Sequence, residues 1–184
     1  QWFLDPLNKK GPDFERNKKR ILDKINAVDA TFLTTSPDVL PFLKNKNSFF
    51  IPNPSDKSFE SLNNFEKSCN VDVFFALSHG VHRGVLKTGK TDDRINFLKE
   101  LQAKTPDIKF DLYGIDKVQP IWADHYFKTI ANAKMGLNLS RGEAIKYYSS
   151  DRITQIVGNG LVCLIDEKTK YQDFFGSNEM IFYK

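Results

Sequence analysis

The sequence predicts an α/β fold, a mostly parallel sheet covered by helices on both faces, and three observations carry that expectation. First, apolar β-rich runs recur: VDVFFAL (71–77), IKFDLYG (108–114), MGLNLS (135–140), LVCLI (161–165) and MIFY (180–183). Second, segments with helical spacing separate the first four. One starts near Asp92 with Ile95, Leu98 and Leu101, another carries Tyr126, Phe127, Ile130 and Ala131, and a third spans Ser150–Val157. Third, 184 residues at 40% hydrophobic and 27% charged suffice to bury a core without staples. Strands alternating with helices imply βαβ units. Their crossovers are right-handed in nearly all cases, which gives a Rossmann-like three-layer α/β/α sandwich.

The segment before these units is less regular. Asp13 to Val28 places Phe14, Ile21, Leu22, Ile25 and Val28 at helical spacing among many Lys and Arg. ATFLTT (30–35) and SFFI (48–51) read as short strands. Between them Ser36-Pro37-Asp38 has the form of an N-cap with Pro at the first helical position, opening a short helix through Leu43. Residues 51–70, with two prolines and no sustained period, read as a connector.

The formal charge of +4 and pI near 8.9 fit an anionic ligand and are too weak to argue for nucleic acid. The basic residues are also not interleaved with exposed aromatics. Cys69 and Cys163 match no metal or redox spacing, and Cys163 within GLVCLI reads as a buried inert thiol. No run approaches the ~20 apolar residues of a membrane span. The chain begins QWFLDPL, without Met, and ends EMIFYK in a strand pattern, so a piece of a longer polypeptide is expected.

In open sheets of this kind ligands sit at the carboxyl ends of the strands. Three loops should gather there. The first, SHGVHRGVLKTGKTDDR (78–94), holds Arg83, Lys87, Lys90 and Arg94 with Gly80, Gly84 and Gly89. Glycine lets backbone N–H groups approach an oxyanion while Arg83 and Lys87 supply charge. The spacing matches neither a Walker loop nor GxGxxG, and a solvated loop is the competing account. The second is SRGEAIKYYSSDR (140–152). Here Ser149 or Ser150 is a good N-cap, and Arg152 could pair bidentately with phosphate. Asp151 counts against a phosphate too near the helix end, and an ordinary capped helix is the alternative. The third follows Tyr113-Gly114 and holds Gln119, Pro120, Ile121 and Trp122; Trp122 either stacks on a base or staples the core. His79, His82 and His125 have no metal spacing.

The order of these features resembles a known family. IPNPSD (51–56), then a linker, then VFFALSHG (73–80) with Arg and Lys on its exit loop, resembles the second half of GT-B glycosyltransferases. IANAKMGLNLSRG (130–142) followed by SSDRITQIVGNGLVCLIDE (149–167) resembles the CgeB-like branch of the glycosyl transferase group 1 families. The similarity covers about residues 30 to 175.

This resemblance implies a division into 1–66, the end of an acceptor-side half plus the interdomain connector, and 67–184, a nucleotide-sugar-binding domain, the GT-B C-terminal domain. It implies transfer of a sugar from a nucleoside diphosphate sugar to an acceptor that is a saccharide, a lipid-linked glycan or a protein. Arg83 and Lys87 would hold the donor diphosphate, with Lys90 the rival lysine and Gly80 and Gly114 lining the site. Ser150 and Arg152 would take the phosphate-side positions, with Arg141 beside them. Gln155 falls where the family has a ribose-binding Glu, a weaker acceptor than a carboxylate, and Glu143 is a substitute contact. No metal or other cofactor is expected, because basic side chains carry the leaving-group charge. A cytoplasmic protein, in contact with a membrane surface where the acceptor is a lipid, fits that chemistry. With most of the acceptor-side half missing, the chain alone should bind nucleotide weakly and turn over little. Its alternative role is a non-catalytic nucleotide-binding or scaffold module. A sugar-nucleotide epimerase or NAD-dependent enzyme would need glycines at another spacing.

Overall fold

The computed structural model describes residues 1–7, 10–77, 81, 82, 85, 86 and 94–184, with 81, 82, 85 and 86 in backbone alone. The amino-terminal unit is a three-stranded parallel sheet with one helix. Strands β1 (Trp2–Phe3), β2 (Thr31–Leu33) and β3 (Ser48–Phe50) lie side by side in that order, and α1 (Pro12–Leu22) connects the first two. Helix α1 starts with Pro12, carries Asp13 and Glu15 in its first turn and ends on Lys19 and Arg20. Each choice suits its place on the helix dipole. The helix stops six residues short of Val28. Lys24 and Ile25 bond back three residues, to Ile21 and Leu22, and the Asp and Asn of DKIN favour turns over helix.

The expected short helix after Ser36 is two separate 3₁₀ turns, Pro37–Val39 and Pro41–Leu43. Pro41 forces Leu40 into an extended conformation (φ −114°, ψ 91°), which breaks any helix there. Phe3, Leu7, Ile21, Leu33, Leu40 and Leu43 form the buried core of this unit.

The larger unit follows the predicted alternation. Strand β4 (Val71–Ala76) is followed by a short antiparallel pair, β5 (Val81–His82) and β6 (Val85–Leu86), in the stretch read as loop. Then come α2 (Arg94–Lys104), β7 (Phe110–Tyr113), α3 (Ala123–Ile130), β8 (Ala133–Asn138), α4 (Arg152–Gly158), β9 (Val162–Asp166) and β10 (Met180–Tyr183). The five long strands pair in parallel in the order β10-β9-β8-β4-β7.

Central strand β4 shows why the sheet has three layers. Phe74 packs with Ile130, Ile153 and Ile156 from α3 and α4, whereas Val73 and Phe75 pack with Leu98 from α2. Adjacent residues of a strand point to opposite faces, so both sides of the sheet are covered. Helix α4 sits close on β8 because residue 136 is glycine: a Cβ there would lie 2.5 Å from Ile156 Cγ1.

The connector is anchored rather than loose at its end. Buried Asn64 donates from Nδ2 to the carbonyls of Ile130 and Ala133, each at 2.8 Å. The loop between β8 and α4 joins the two units. Lys146 Nζ pairs with Asp38 at 2.6 Å, the Ser36 amide donates to the Lys146 carbonyl, and Ile145 enters the amino-terminal core. The Tyr147 ring packs against both Phe50 and Phe174, with centroids 4.9 and 4.8 Å away. Among the described residues no helix is long and apolar enough to cross a membrane.

Candidate functional site

The strand order locates a crevice. From β4 the chain crosses to β7 on one side, and from β8 it continues to β9 on the other. The carboxyl ends of β4 and β8 are therefore the topological switch point, where ligands of open α/β sheets bind. Arg152, the first residue of α4, spans that point. Its Nε donates to the Ala76 carbonyl at 3.2 Å, ending β4. Its Nη1 donates to the Leu139 carbonyl just past β8 at 3.3 Å and to Ser150 Oγ at 3.1 Å. The guanidinium lies over the Phe75 ring, 5.0 Å from its centroid.

These partners are all neutral. Among the described residues no carboxylate pairs with Arg152, and a second cation stands beside it. Arg94, 8% exposed at the start of α2, donates from Nη1 to the same Leu139 carbonyl at 3.4 Å. Burial, and secondarily the charge of Arg94, lower the Arg152 pKa, although an arginine remains protonated at any working pH. A guanidinium whose bonds all go to neutral oxygens keeps its full charge for an anion.

Each arginine of the pair lines a cavity of its own. Arg152 lines a pocket of about 280 Å³ with Leu77, Ile121, Trp122, Tyr126, Asp151 and Gln155. Arg94 lines a larger cleft of about 760 Å³, whose walls are Phe14, Val39 and Leu40 from the first unit and Phe97, Leu139 and Ile145 from the second. Trp122 is 50% exposed at the entry to α3, so it is not a core residue. The next residue, Ala123, has φ +47°, a left-handed conformation costing roughly 1–2 kcal/mol for a side chain with Cβ. In the pocket wall the Tyr126 hydroxyl donates to Gln155 Oε1 at 2.6 Å.

The residues expected at the site do not all gather in one place. Arg152 and Gln155 share the smaller pocket, and Ser150 contacts Arg152. Glu143 lines the larger cleft, and Arg141 lines a separate groove of about 400 Å³ with Lys10, Arg16 and Tyr148. Gly114 follows β7 with φ +77°, against the Leu77 carbonyl, where a Cβ would lie 1.8 Å from that oxygen. Gly80, Arg83, Lys87 and Lys90 lie outside the described residues.

One expectation is corrected. Neither Ser149 nor Ser150 caps α4: Asp151 stands at the N-cap in a helical conformation, without a side-chain cap bond. Ser149 Oγ accepts from buried Asn138 at 2.7 Å, and Ser150 Oγ accepts from Arg152, so both hydroxyls serve tertiary partners. The charge at this edge is therefore that of the Arg152 side chain rather than of a capped helix end.

Two residues escaped the sequence reading. Arg94 was visible only as one of four cations in a loop. A cation opening α2, where the dipole disfavours it, was the signal that it serves something else. Tyr126 read as one apolar member of a helical stripe, and its hydroxyl partner is not adjacent in sequence.

Comparison with known proteins adds family membership. Residues 93–184 match the family described as glycosyl transferase-like, a span from α2 to β10 that contains Arg94, Arg152 and Gln155. No curated protein and no solved structure matches the chain. The parallel sheet, the cationic switch point and a match over half of the 184 residues agree, and the chain belongs to the glycosyl transferase-like family.

Proposed function

We propose that this chain carries the donor site of a glycosyltransferase, binding a nucleoside diphosphate sugar with its diphosphate at Arg152. The nucleoside occupies the pocket beside Trp122, and the sugar extends past Arg94 toward the larger cleft. In the reaction the bond from the anomeric carbon to the diphosphate oxygen breaks and a bond to an acceptor hydroxyl oxygen forms. The hydroxyl proton is released, and the nucleoside diphosphate leaves with the electron pair. A guanidinium already fixed by two backbone carbonyls stabilises that leaving charge without reorganising. The Arg152 guanidinium takes the part a metal ion has elsewhere, so in this reading none is needed.

The observation that supports this most is the Arg152 guanidinium, bonded to two carbonyls and a hydroxyl between β4 and β8, with no carboxylate partner among the described residues. The test is thermal unfolding with UDP, GDP, TDP, ADP and NAD in turn. A bound nucleotide at a hundred times its Kd should stabilise the fold by about 2.7 kcal/mol. One or more nucleoside diphosphates should do so and NAD should not. No shift from any diphosphate contradicts the proposal. A second reading, a binding module that transfers nothing, is favoured by the engagement of the Gln155 carbonyl with Tyr126. Nucleotide binding without release of sugar to any acceptor separates the two.

A further inference from the structure

The polar lining of the smaller pocket is set by one contact within the protein. Tyr126 packs edge-on against Phe74, with centroids 5.5 Å apart, and its hydroxyl has a single partner among the described residues, Gln155 Oε1. A phenol that is largely withdrawn from water needs an acceptor for its proton. Burial pushes its pKa up to about 12, so it remains a donor across the working range. Turning the Gln155 amide over would leave that proton without an acceptor among the described residues. The amide oxygen is thus committed to Tyr126. The amide nitrogen, with no partner among the described residues, is the end available to a ligand in the pocket that Arg152 also lines. Arg152 and Gln155 are three apart on α4, which makes them neighbours on one helix face.

We infer that Gln155 contacts the ligand as a hydrogen-bond donor, forming with Arg152 a two-residue cradle for a phosphate oxygen, and that Tyr126 is the positioning residue that aims it. This rests on the donor-site reading above and reverses the role that resemblance assigns to position 155, an acceptor for sugar hydroxyls. Identity at that position then sets what the pocket takes. A glutamate would accept the Tyr126 proton equally well, and would turn its second, anionic oxygen toward the diphosphate.

The experiment is calorimetric titration of the 184-residue chain with inorganic pyrophosphate and, separately, with uridine. Gln155→Met, near in size and neutral but without a donor, should bind pyrophosphate about tenfold more weakly, the lower end of what a hydrogen bond to a charged group is worth. Its uridine affinity should be unchanged. Gln155→Glu should lose more than Gln155→Met. Tyr126→Phe should lose roughly two- to fivefold, and the Tyr126→Phe/Gln155→Met double variant should be no weaker than Gln155→Met, because the phenol acts only through the amide. Wild-type pyrophosphate affinity in Gln155→Met, a loss confined to uridine, or tighter binding in Gln155→Glu overturns the inference. If pyrophosphate binding depends on Arg152, tested with Arg152→Lys, but not on Gln155, the donor site stands and only the inference falls. If pyrophosphate does not bind at all, both fall.

Discussion

Replacing Arg152 by lysine keeps the charge and removes the fork that bridges two strand ends. The native guanidinium uses Nε for the Ala76 carbonyl and Nη1 for the Leu139 carbonyl and Ser150 Oγ. A lysine ammonium is a compact donor and cannot reach both carbonyls in that geometry. At least one strand-end acceptor loses its partner, at a cost of about 1–3 kcal/mol for a buried group. Loss of the planar contact over Phe75 adds about 0.5–1 kcal/mol. The ammonium leaves the like charge beside Arg94 in place, so nothing offsets these losses and the net expectation is about 1.5–4 kcal/mol. For a domain of this size each kcal/mol moves Tm by about 2–4 °C, which predicts a fall of roughly 3–16 °C by calorimetry. In the same scans UDP at a hundred times the wild-type Kd should stabilise the native chain by about 2.7 kcal/mol and the variant by much less. A variant that melts with the wild type and gains as much from UDP would refute both the bridging and the anion role. A variant that melts higher would show that the bridging of the two strand ends does not stabilise the fold.

Gly114→Ala should destabilise by more than about 2 kcal/mol in chemical denaturation, since φ of +77° and a Cβ 1.8 Å from the Leu77 carbonyl both oppose it. Asp38 should tie the joint between units to pH. Its hydrogen bonds from Lys146 and then Ser36 hold its pKa below the usual carboxylate value, so its contribution is present above about pH 4 and lost as pH falls through the lower folded value. Lys146, raised chiefly by the same hydrogen bond, contributes below about pH 10.4 and loses that contribution as pH rises through its higher folded value. Lys146→Met should flatten the acid limb of the stability profile, and an unchanged limb would count against the pair. Cys163 is fully buried and its pKa is pushed up to about 12 by burial, so native protein at pH 8 should resist iodoacetamide at that residue until unfolded, as read by mass spectrometry.

Much of the larger unit was legible because its strands are short β-rich runs cut off by turn residues. MIFY coincides with β10 residue for residue, and VDVFFAL with β4 to within one. The start of α4 was misplaced because the capping signal of Ser149-Ser150 is local, whereas Asn138 and Arg152, which use those hydroxyls, are tertiary partners. Two-residue β1 has no period to detect, and only its pairing with Phe32 and Leu33 makes it a strand. At the site, the position of Arg152 was readable from sequence, but its environment was not. That Leu139 serves two guanidinium groups depends on where β8 ends relative to α2. The orientation of Gln155 likewise depends on a tyrosine 29 residues away.

The central claim is that a nucleoside diphosphate binds across the carboxyl ends of β4 and β8. A crystal structure of the chain with UDP, or with whichever diphosphate stabilises it most, measures this directly. The account predicts a phosphate oxygen within about 3.2 Å of the Arg152 guanidinium, with the base against Trp122. A nucleotide bound elsewhere, or one whose phosphates turn to solvent away from Arg152, would contradict it.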